Sequence, residues 1–182
     1  MNHQPIYFID TETTGLDSDR HEIIEICILR RQEGDCDRQW TWRVNPDHLY
    51  TASIRALQIN GFDLEIWAET GLSQEEAARE CAEVLRAPGM IVAHNAAFDL
   101  RFLRAMMQKQ NQAHHFPDNV ICTRSLAHQL RDVTGWTSCS MDNIRQYLNW
   151  DSEGAHTATK DVDDLVKLYD YLINMIADRV SL

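Results

Sequence analysis

The chain has 182 residues, of which 44% are hydrophobic and 25% are charged, and it carries a formal net charge of −11. These values lie in the ordinary globular range and predict a single domain over residues 1–182. The excess of acids argues against a broad surface that coats duplex nucleic acid, because phosphate binding relies on lysine and arginine. A nucleic-acid partner would have to be attracted locally, by bound cations, helix N-termini and a few arginines.

The apolar runs and the cysteines predict in which cellular compartment the protein resides. No run approaches about 18 apolar residues, so no membrane span is predicted. The first five residues lack the basic region and the apolar core of a secretion signal. The five cysteines are an odd number without a Cys-x-x-Cys pair, which argues against a disulfide framework or structural zinc. They predict a reducing, cytoplasmic location.

The first part of the chain predicts an antiparallel meander of three strands. Residues 6–10 form a short apolar run that opens into a turn, and residues 22–32 form a second β-rich run. In the third run, 38–46, Trp40 and Trp42 alternate with polar residues. We expect these two side chains to pack on the sheet and not to face one pocket together.

The rest of the chain predicts alternating helices and strands. Ser73 and Glu76 form a capping box at the start of one helix, which ends at Pro88. Helices are also predicted near 51–59 and over 97–110, 124–131, 140–148 and 157–178, and strands over 90–93 and 120–123. His114 and His115 are predicted to lie in a polar loop without a site role. The fold class is therefore α/β, a mixed sheet of about five strands, antiparallel meander plus parallel strands, flanked by helices.

Two acids, Asp10 and Glu12, stand two residues apart at the end of the first strand. The period of two in a strand aims both side chains to the same face. Carboxylates so close raise each other's pKa unless a cation shares them. Such a pair is a typical ligand set for Mg²⁺ or Mn²⁺, although strand-end acids that simply face solvent are the alternative.

A third acid, Asp99, stands just inside a helix N-terminus after the strand 90–93. The alternative to a ligand role is that Asp99 merely complements the helix dipole and that Asn95 merely satisfies the backbone of the turn. If the strand 90–93 pairs in parallel with the first strand, Asp99 lies beside the end of the first strand.

The fourth acid, Asp161, lies on the inner face of the last helix, where a carboxylate is costly unless it is paired or metal-bound. Asp163 and Asp164 are predicted to point elsewhere, into solvent. His156 precedes this helix in a loop, five residues before Asp161. A histidine beside a metal-ligating acid is well placed to take a proton from water.

These residues form three motifs in a fixed order, which are Asp10-x-Glu12-Thr13-Thr14-Gly15-Leu16, His94-Asn95-x-x-Phe98-Asp99 and His156-x4-Asp161. Together they strongly resemble the DEDD exonucleases, in the His-containing, DnaQ-like subclass, over residues 6 to about 173. The resemblance implies a ribonuclease-H-like fold and one exonuclease domain over residues 1–182. It also implies an enzyme, a 3′–5′ exonuclease with a two-metal mechanism.

The resemblance assigns a cofactor and a role to each site residue. Two divalent cations, Mg²⁺ or Mn²⁺, would be bound by Asp10, Glu12, Asp99 and Asp161, and His156 would be the general base. The implied substrate-binding residues are Thr13, Thr14, Gly15, Leu16, Asn60, Asn95 and Phe98. Leu16 would be an apolar wedge against a base and Phe98 a wall of the pocket, with ordinary core packing as the alternative for both.

Asn60 marks one departure from the family pattern. Many relatives have a His-Gly pair after the short helix, whereas this chain has Ile59-Asn60-Gly61-Phe62. Asn60 can still hydrogen-bond a sugar or a phosphate. All the paired ligand positions are present, so an active enzyme is expected.

The implied reaction removes nucleoside monophosphates from single-stranded or frayed 3′ ends. The form of the first motif resembles the proofreading branch and favours DNA slightly. A 3′–5′ exoribonuclease of the RNase T or oligoribonuclease type is the alternative within the same class. An alternative of another class is an accessory or binding subunit held by a polymerase or repair partner.

Overall fold

The structure, a computed structural model, describes residues 4–112 and 116–180, so the predicted loop at His114 and His115 lies outside the described residues. Five strands form one sheet in the order β3-β2-β1-β4-β5. They are β1 (Ile6–Thr13), β2 (Ile23–Gln32), β3 (Asp35–Arg43), β4 (Met90–Ala93) and β5 (Asn119–Cys122). The first three pair antiparallel, whereas β4 is parallel to both β1 and β5. The predicted mixed sheet is confirmed.

Eight α-helices and one short 3-10 helix flank this sheet within the described residues. They are the 3-10 helix Leu49–Thr51, α1 (Ile54–Ile59), α2 (Leu64–Thr70), α3 (Gln74–Leu85), α4 (Ala96–Lys109), α5 (Thr123–Gln129), α6 (Arg131–Thr134), α7 (Met141–Leu148) and α8 (Ala158–Val180). The capping box of Ser73 and Glu76 is present at the start of α3, as predicted.

Helix α2 is an element that the sequence pattern did not predict. Asp63 caps it by accepting hydrogen bonds from the backbone N–H groups of Glu65 and Ile66. Only Trp67 on this helix is buried, where its indole N–H donates to the carbonyl of Ile24 at 2.7 Å. With one buried residue, the helix shows no apolar stripe of helical period for a sequence pattern to detect.

Strand β1 is covered on both of its faces, which explains its continuous apolar run. Tyr7 and Ile9 belong to the core cluster under α3 and α4, whereas Phe8 packs with Val162 and Leu165 of α8. Side chains alternate along a strand, so even-numbered positions of β1 face α8 and odd-numbered positions face α4. Beyond the apolar part of the strand, the same alternation directs its acids toward α8.

The two tryptophans of β3 share one face of the sheet. Trp40 and Trp42 both pack against the cluster under α3 and α4, so the predicted packing on the sheet is confirmed. Their alternation with polar residues does not separate them, because residues two apart in a strand point to the same side, so the expectation that they do not face one pocket does not follow from it.

The cysteines are all free thiols, and three of them are buried, Cys27, Cys81 and Cys139. Burial raises the pKa of the Cys27 thiol to about 11 and that of the Cys81 thiol to about 12. Among residues 4–112 and 116–180, none of the helices has both the length and the apolar character that crossing a bilayer requires.

Candidate active site

The structure brings three of the predicted ligands into one cluster. Asp10 and Glu12 lie on the α8-facing side of β1, and Asp161 lies in the first turn of α8. One carboxylate oxygen of each lies within 4.8 Å of the others. The cluster therefore forms where the end of the central strand meets the start of the long helix.

The fourth acid, Asp99, lies beside the same strand end, as the parallel pairing of β1 and β4 predicted. It is 3% exposed, and its Oδ1 accepts hydrogen bonds from the backbone N–H of Thr11 at 3.1 Å and from the Thr11 hydroxyl at 2.9 Å. These bonds hold the carboxylate in place from the α4 side of β1. Its charge acts on Asp10, and after burial it is the largest influence on the pKa of that carboxyl.

The four acids repel one another in a partly buried space. Burial, followed by the charges of Asp99 and Asp161, raises the pKa of Asp10 well above its usual range. Burial and the Asp161 charge raise the pKa of Glu12 to about 9. Burial also raises the pKa of Asp99 to about 7, against the lowering effect of the Thr11 hydrogen bonds. Carboxylate oxygens this close repel one another and fit a hard divalent cation such as Mg²⁺ or Mn²⁺.

This repulsion predicts a pH-dependent stability for the cation-free protein. Unfolded acids titrate near pH 4, so between that value and the raised folded pKa values the native state binds more protons than the unfolded state. The free energy of unfolding must then fall as the pH rises. In EDTA, we expect Tm to fall between pH 6.5 and 8.5, and we expect Mg²⁺ at about 100 times its Kd to restore roughly 5–10 °C at pH 8.5.

Thermal melts followed by circular dichroism at several pH values, with and without Mg²⁺, measure this effect. The difference between the two series isolates the cluster, because the thiols of Cys27 and Cys81 titrate in both. A Tm that falls equally with and without Mg²⁺ would contradict the prediction.

A fifth carboxylate, Glu25, lies next to the cluster and was missed by sequence reasoning. It is the direct partner of Glu12 across the β1–β2 ladder, and its Oε2 accepts the backbone N–H of Ala158 at 2.9 Å. Glu25 therefore caps the N-terminus of α8, the helix that carries Asp161. Only the strand register reveals this contact, since Glu25 reads in the sequence as one more polar position of a strand.

Around Asp161, the structure confirms one expectation and corrects another. Asp161 lies inward and is ion-paired, with Arg145 Nη2 at 2.5 Å from its Oδ1. Asp163 is exposed, as expected. Asp164 is fully buried and ion-paired with Arg145, Lys160 and Lys167, so its predicted exposure to solvent was wrong. Residues 161 and 164 lie three apart on a helix and are therefore neighbours on the same side.

His156 lies in the turn before α8 with a left-handed backbone, φ +65°. Its backbone N–H donates to Asp161 Oδ1 at 3.3 Å, so the turn is tied to the cluster. The imidazole is half-exposed, and its Nε2 lies 3.7 Å from Asp142 Oδ2. The structure thus brings the backbone of His156 beside Asp161, and its role as general base stays a prediction.

The loop at the end of the first motif, residues 13–16, is fixed by hydrogen bonds of its own side chains. The Thr13 hydroxyl donates to the carbonyl of Gly15 at 2.6 Å, and the Thr14 hydroxyl accepts from the backbone N–H of Glu22. A Cβ at Gly15 would lie 2.5 Å from the ring of His21, so a larger residue fits only if that ring moves. Both threonine hydroxyls are engaged inside the loop, and their predicted contact with substrate stays untested.

Leu16, at the tip of this loop, is 79% exposed. Its carbonyl accepts a hydrogen bond from Arg101 Nη2 at 3.3 Å. The guanidinium of Arg101 also lies 5.8 Å from the ring centroid of Phe98, which is half-buried against Phe102. Arg101 was missed by sequence reasoning, because only the packing of α4 beside the loop reveals its position. An exposed leucine next to a phenylalanine and an arginine can contact a base and its phosphate.

The two predicted asparagines are engaged locally. Asn60 Nδ2 donates to the carbonyl of Thr13 at 2.9 Å, which ties the end of α1 to the first motif. Asn95 has a left-handed backbone, φ +78°, in the turn from β4 to α4. Its carbonyl accepts the N–H of Phe98. Their predicted substrate contacts stay untested.

The neighbouring His94 has a structural role. Its two ring nitrogens lie 3.0 Å from the Thr123 hydroxyl and 3.0 Å from the carbonyl of Cys139. Burial lowers the pKa of its imidazole to about 4, so it is neutral at physiological pH. His94 therefore joins β4 to the segment before α7.

Known proteins resemble this chain in sequence and in fold. The exonuclease family model RNase_T matches residues 7–169. Ribonuclease T of Haemophilus influenzae (strain PittGG) is 29% identical over an alignment 190 residues long, which covers 93% of this chain and 80% of that protein. DNA polymerase III PolC-type of Thermotoga petrophila is 39% identical over 101 residues, which cover 56% of this chain and 7% of that protein.

Among solved structures, E. coli exonuclease I in complex with a dT13 oligonucleotide superimposes with a TM-score of 0.82 at 13% identity. The match covers 94% of this chain and 41% of that chain, so this chain spans about two-fifths of the solved protein. At that identity the likeness shows the fold, which is ribonuclease-H-like. With the family model and the ribonuclease T relatives, it leads to one assignment: the chain belongs to the RNase_T exonuclease family of DEDD enzymes and is a 3′–5′ exonuclease.

Proposed function

We propose that the protein uses divalent cations to remove nucleoside monophosphates from single-stranded 3′ ends, and that it favours DNA over RNA. The observation that carries the proposal is the convergence of Asp10, Glu12 and Asp161 within 4.8 Å, beside the buried Asp99. Support for DNA comes from the similarity of the first motif to the proofreading branch and from the PolC-type relative. Support for single strands comes from the likeness to exonuclease I, which was solved with a dT13 oligonucleotide.

The four acids are the proposed cation ligands. Asp99 and Asp161 each accept protein hydrogen bonds on Oδ1, an arrangement that fixes the carboxylate and leaves lone pairs of Oδ2 for a cation. When bound, two divalent cations supply positive charge to the attacking and the leaving oxygen and lower the pKa of water. These cations also offset locally the repulsion between nucleic acid and a protein with a net charge of −11.

The remaining steps fall to other side chains. Leu16 packs against the terminal base and Phe98 forms the wall of its pocket, which places the last phosphodiester over the acids. Arg101, next to both, adds a positive charge for the strand. His156, in its neutral form, accepts the proton of the attacking water through a ring nitrogen. Its exposed position lets it pass this proton on to solvent.

The test is a time course on matched DNA and RNA strands of one sequence, each labelled at the 5′ end, single-stranded and duplex. We expect 3′ shortening with release of nucleoside monophosphates, which needs Mg²⁺ or Mn²⁺ and is fastest on single-stranded DNA. EDTA should stop the reaction, and re-added Mg²⁺ should restore it. If neither strand is shortened with either cation, the proposal fails.

An exoribonuclease is the second candidate, since the ribonuclease T relatives match over 93% of the chain. Faster shortening of RNA than of DNA in the same time course would favour it. An accessory role in a polymerase or repair complex finds support in the PolC-type relative. Activity that appears only when a polymerase is added would favour that role. We place the protein in a reducing, cytoplasmic compartment, which its five free thiols support.

A further inference from the structure

Arg145 on α7 is a buried cation that joins the active site to the helix beside it. Its side chain is 2% exposed and contacts three carboxylates. Nη2 donates to Asp161 Oδ1 at 2.5 Å, Nε to Asp164 Oδ2 at 2.8 Å, and Nη1 to Asp142 Oδ1 at 2.9 Å. The rigid planar fork of arginine makes three such contacts at once, which the single ammonium of a lysine does not reproduce.

These contacts go beyond what the burial of Asp164 requires. Asp164 also accepts hydrogen bonds from Lys160 and Lys167, at 2.8 to 3.1 Å, so two other cations already compensate its charge. The bond from Arg145 to Asp161 is therefore the contact of this group that bears on the active site. A buried ion pair is by itself weak evidence for a stabilising role, so the role of Arg145 is inferred from its geometry at Asp161.

The geometry at Asp161 indicates what this orientation achieves. The hydrogen bonds that Asp161 accepts from the described residues, from Arg145 and from the backbone of His156, both fall on Oδ1. Asp99 is held in the same way, with both Thr11 donors on Oδ1. In both Asp99 and Asp161, hydrogen bonds from the protein fix Oδ1, and this sets the direction of Oδ2.

We propose that Arg145 is a positioning residue that fixes Asp161 for cation binding by occupying its Oδ1. The inference rests on the proposed function, in which Asp161 is a cation ligand. Arg145 touches neither the substrate nor the reacting atoms in this role. It acts through Asp161, and α7 thereby becomes part of the active-site architecture.

Arg145 affects a cation in two opposite ways. Its positive charge repels the cation, whereas its hydrogen bond orients a ligand that would otherwise rotate. Loss of a residue that orients a metal ligand typically weakens binding by about 10–100-fold. We infer that orientation outweighs repulsion, because the guanidinium is already paired with three carboxylates and its charge is largely neutralised.

The test compares R145K and R145M with the wild type in Mn²⁺ binding without nucleic acid, followed by the EPR signal of free Mn²⁺. R145K keeps the buried charge and loses the fork. We expect R145K to bind Mn²⁺ about 10–100-fold more weakly, with kcat lowered at limiting Mn²⁺ and KM for the strand unchanged. Should R145M not fold, R145K alone decides the question.

The possible outcomes distinguish a failure of the positioning role of Arg145 from a failure of the proposed function. Wild-type binding in R145K, or tighter binding in R145M, would overturn the positioning role and leave Arg145 as a countercharge. Absence of Mn²⁺ binding in the wild type would overturn the proposed function itself. D170N is the control for stability, since it removes the partner of the partly buried Arg31 without touching Arg145 or Asp161. We expect it to lower Tm and to leave Mn²⁺ binding unchanged, and a loss of affinity that tracks Tm in all variants would also overturn the proposal.

Discussion

Replacing Asp10 by asparagine is expected to lower kcat by roughly 10³–10⁵-fold, because a lost ligand removes several kcal/mol of stabilisation from the charge that develops at the phosphate. Asp10 is the central acid of the cluster, on which the charges of Asp99, Asp161 and Glu12 all act. Its amide counterpart keeps the shape of the side chain and removes its charge. Single-turnover shortening of a 5′-labelled strand at saturating Mg²⁺ measures the loss.

The same substitution should stabilise the cation-free protein. Burial and four neighbouring acids disfavour the Asp10 carboxylate, so the neutral amide relieves repulsion that the wild type meets at high pH. In EDTA at pH 8.5 we expect a higher Tm for D10N than for the wild type, together with a smaller rise on addition of Mg²⁺. Lost activity with raised Tm distinguishes a missing ligand from a damaged fold.

Asp163→Asn is the matched control, because Asp163 is an exposed acid on α8 two residues from Asp161. It should leave both kcat and the response of Tm to Mg²⁺ unchanged. Substantial activity in D10N, or an equal loss in D163N, would show that the cluster does not hold the catalytic cations.

The sheet could be predicted because each of its strands has a local signature. The apolar run at 6–10 and the strand–turn–helix unit around Asp99 indicate β1, β4 and α4, and the parallel pairing on which the expected position of Asp99 depended is present in the sheet. Helix α2 was missed because it buries a single tryptophan and so lacks a periodic apolar face. The stability of such a short helix comes from its cap and from its contacts to β2 and β3, and neither follows from periodicity.

The acids of the site could be predicted because the spacing of their motifs is local, whereas the residues that hold those acids could not. Glu25 reaches the start of α8 through the register of β1 with β2, and Arg145 reaches Asp161 across the packing of α7 on α8. Both contacts join segments that are far apart in the chain. The wrong prediction that Asp164 faces solvent has a different cause. Its spacing from Asp161 already places the two acids on one side of the helix, but the spacing does not reveal the buried Arg145 that pairs with both and makes the burial of Asp164 possible.

Replacing His156 by alanine is expected to lower kcat by about 10²–10⁴-fold, the usual contribution of a general base. KM for the strand and the affinity for Mn²⁺ should stay within a few-fold of the wild type, because the contact of His156 to Asp161 is made by its backbone N–H and survives the substitution. Steady-state kinetics on a 5′-labelled strand, together with a titration of Mn²⁺, measure these quantities.

The left-handed backbone at position 156 calls for a second variant. A residue with φ near +65° is strained as alanine but tolerated as asparagine, so H156N preserves the turn and still removes the base. Equal losses of kcat in H156A and H156N would assign the effect to the imidazole. Near-normal activity in H156N would assign the loss to the shape of the turn, and a raised KM with unchanged kcat would contradict the general-base role. His128→Ala, at an exposed histidine on α5, is the control and should leave kcat unchanged, because only a histidine next to the cluster can take the proton of the attacking water.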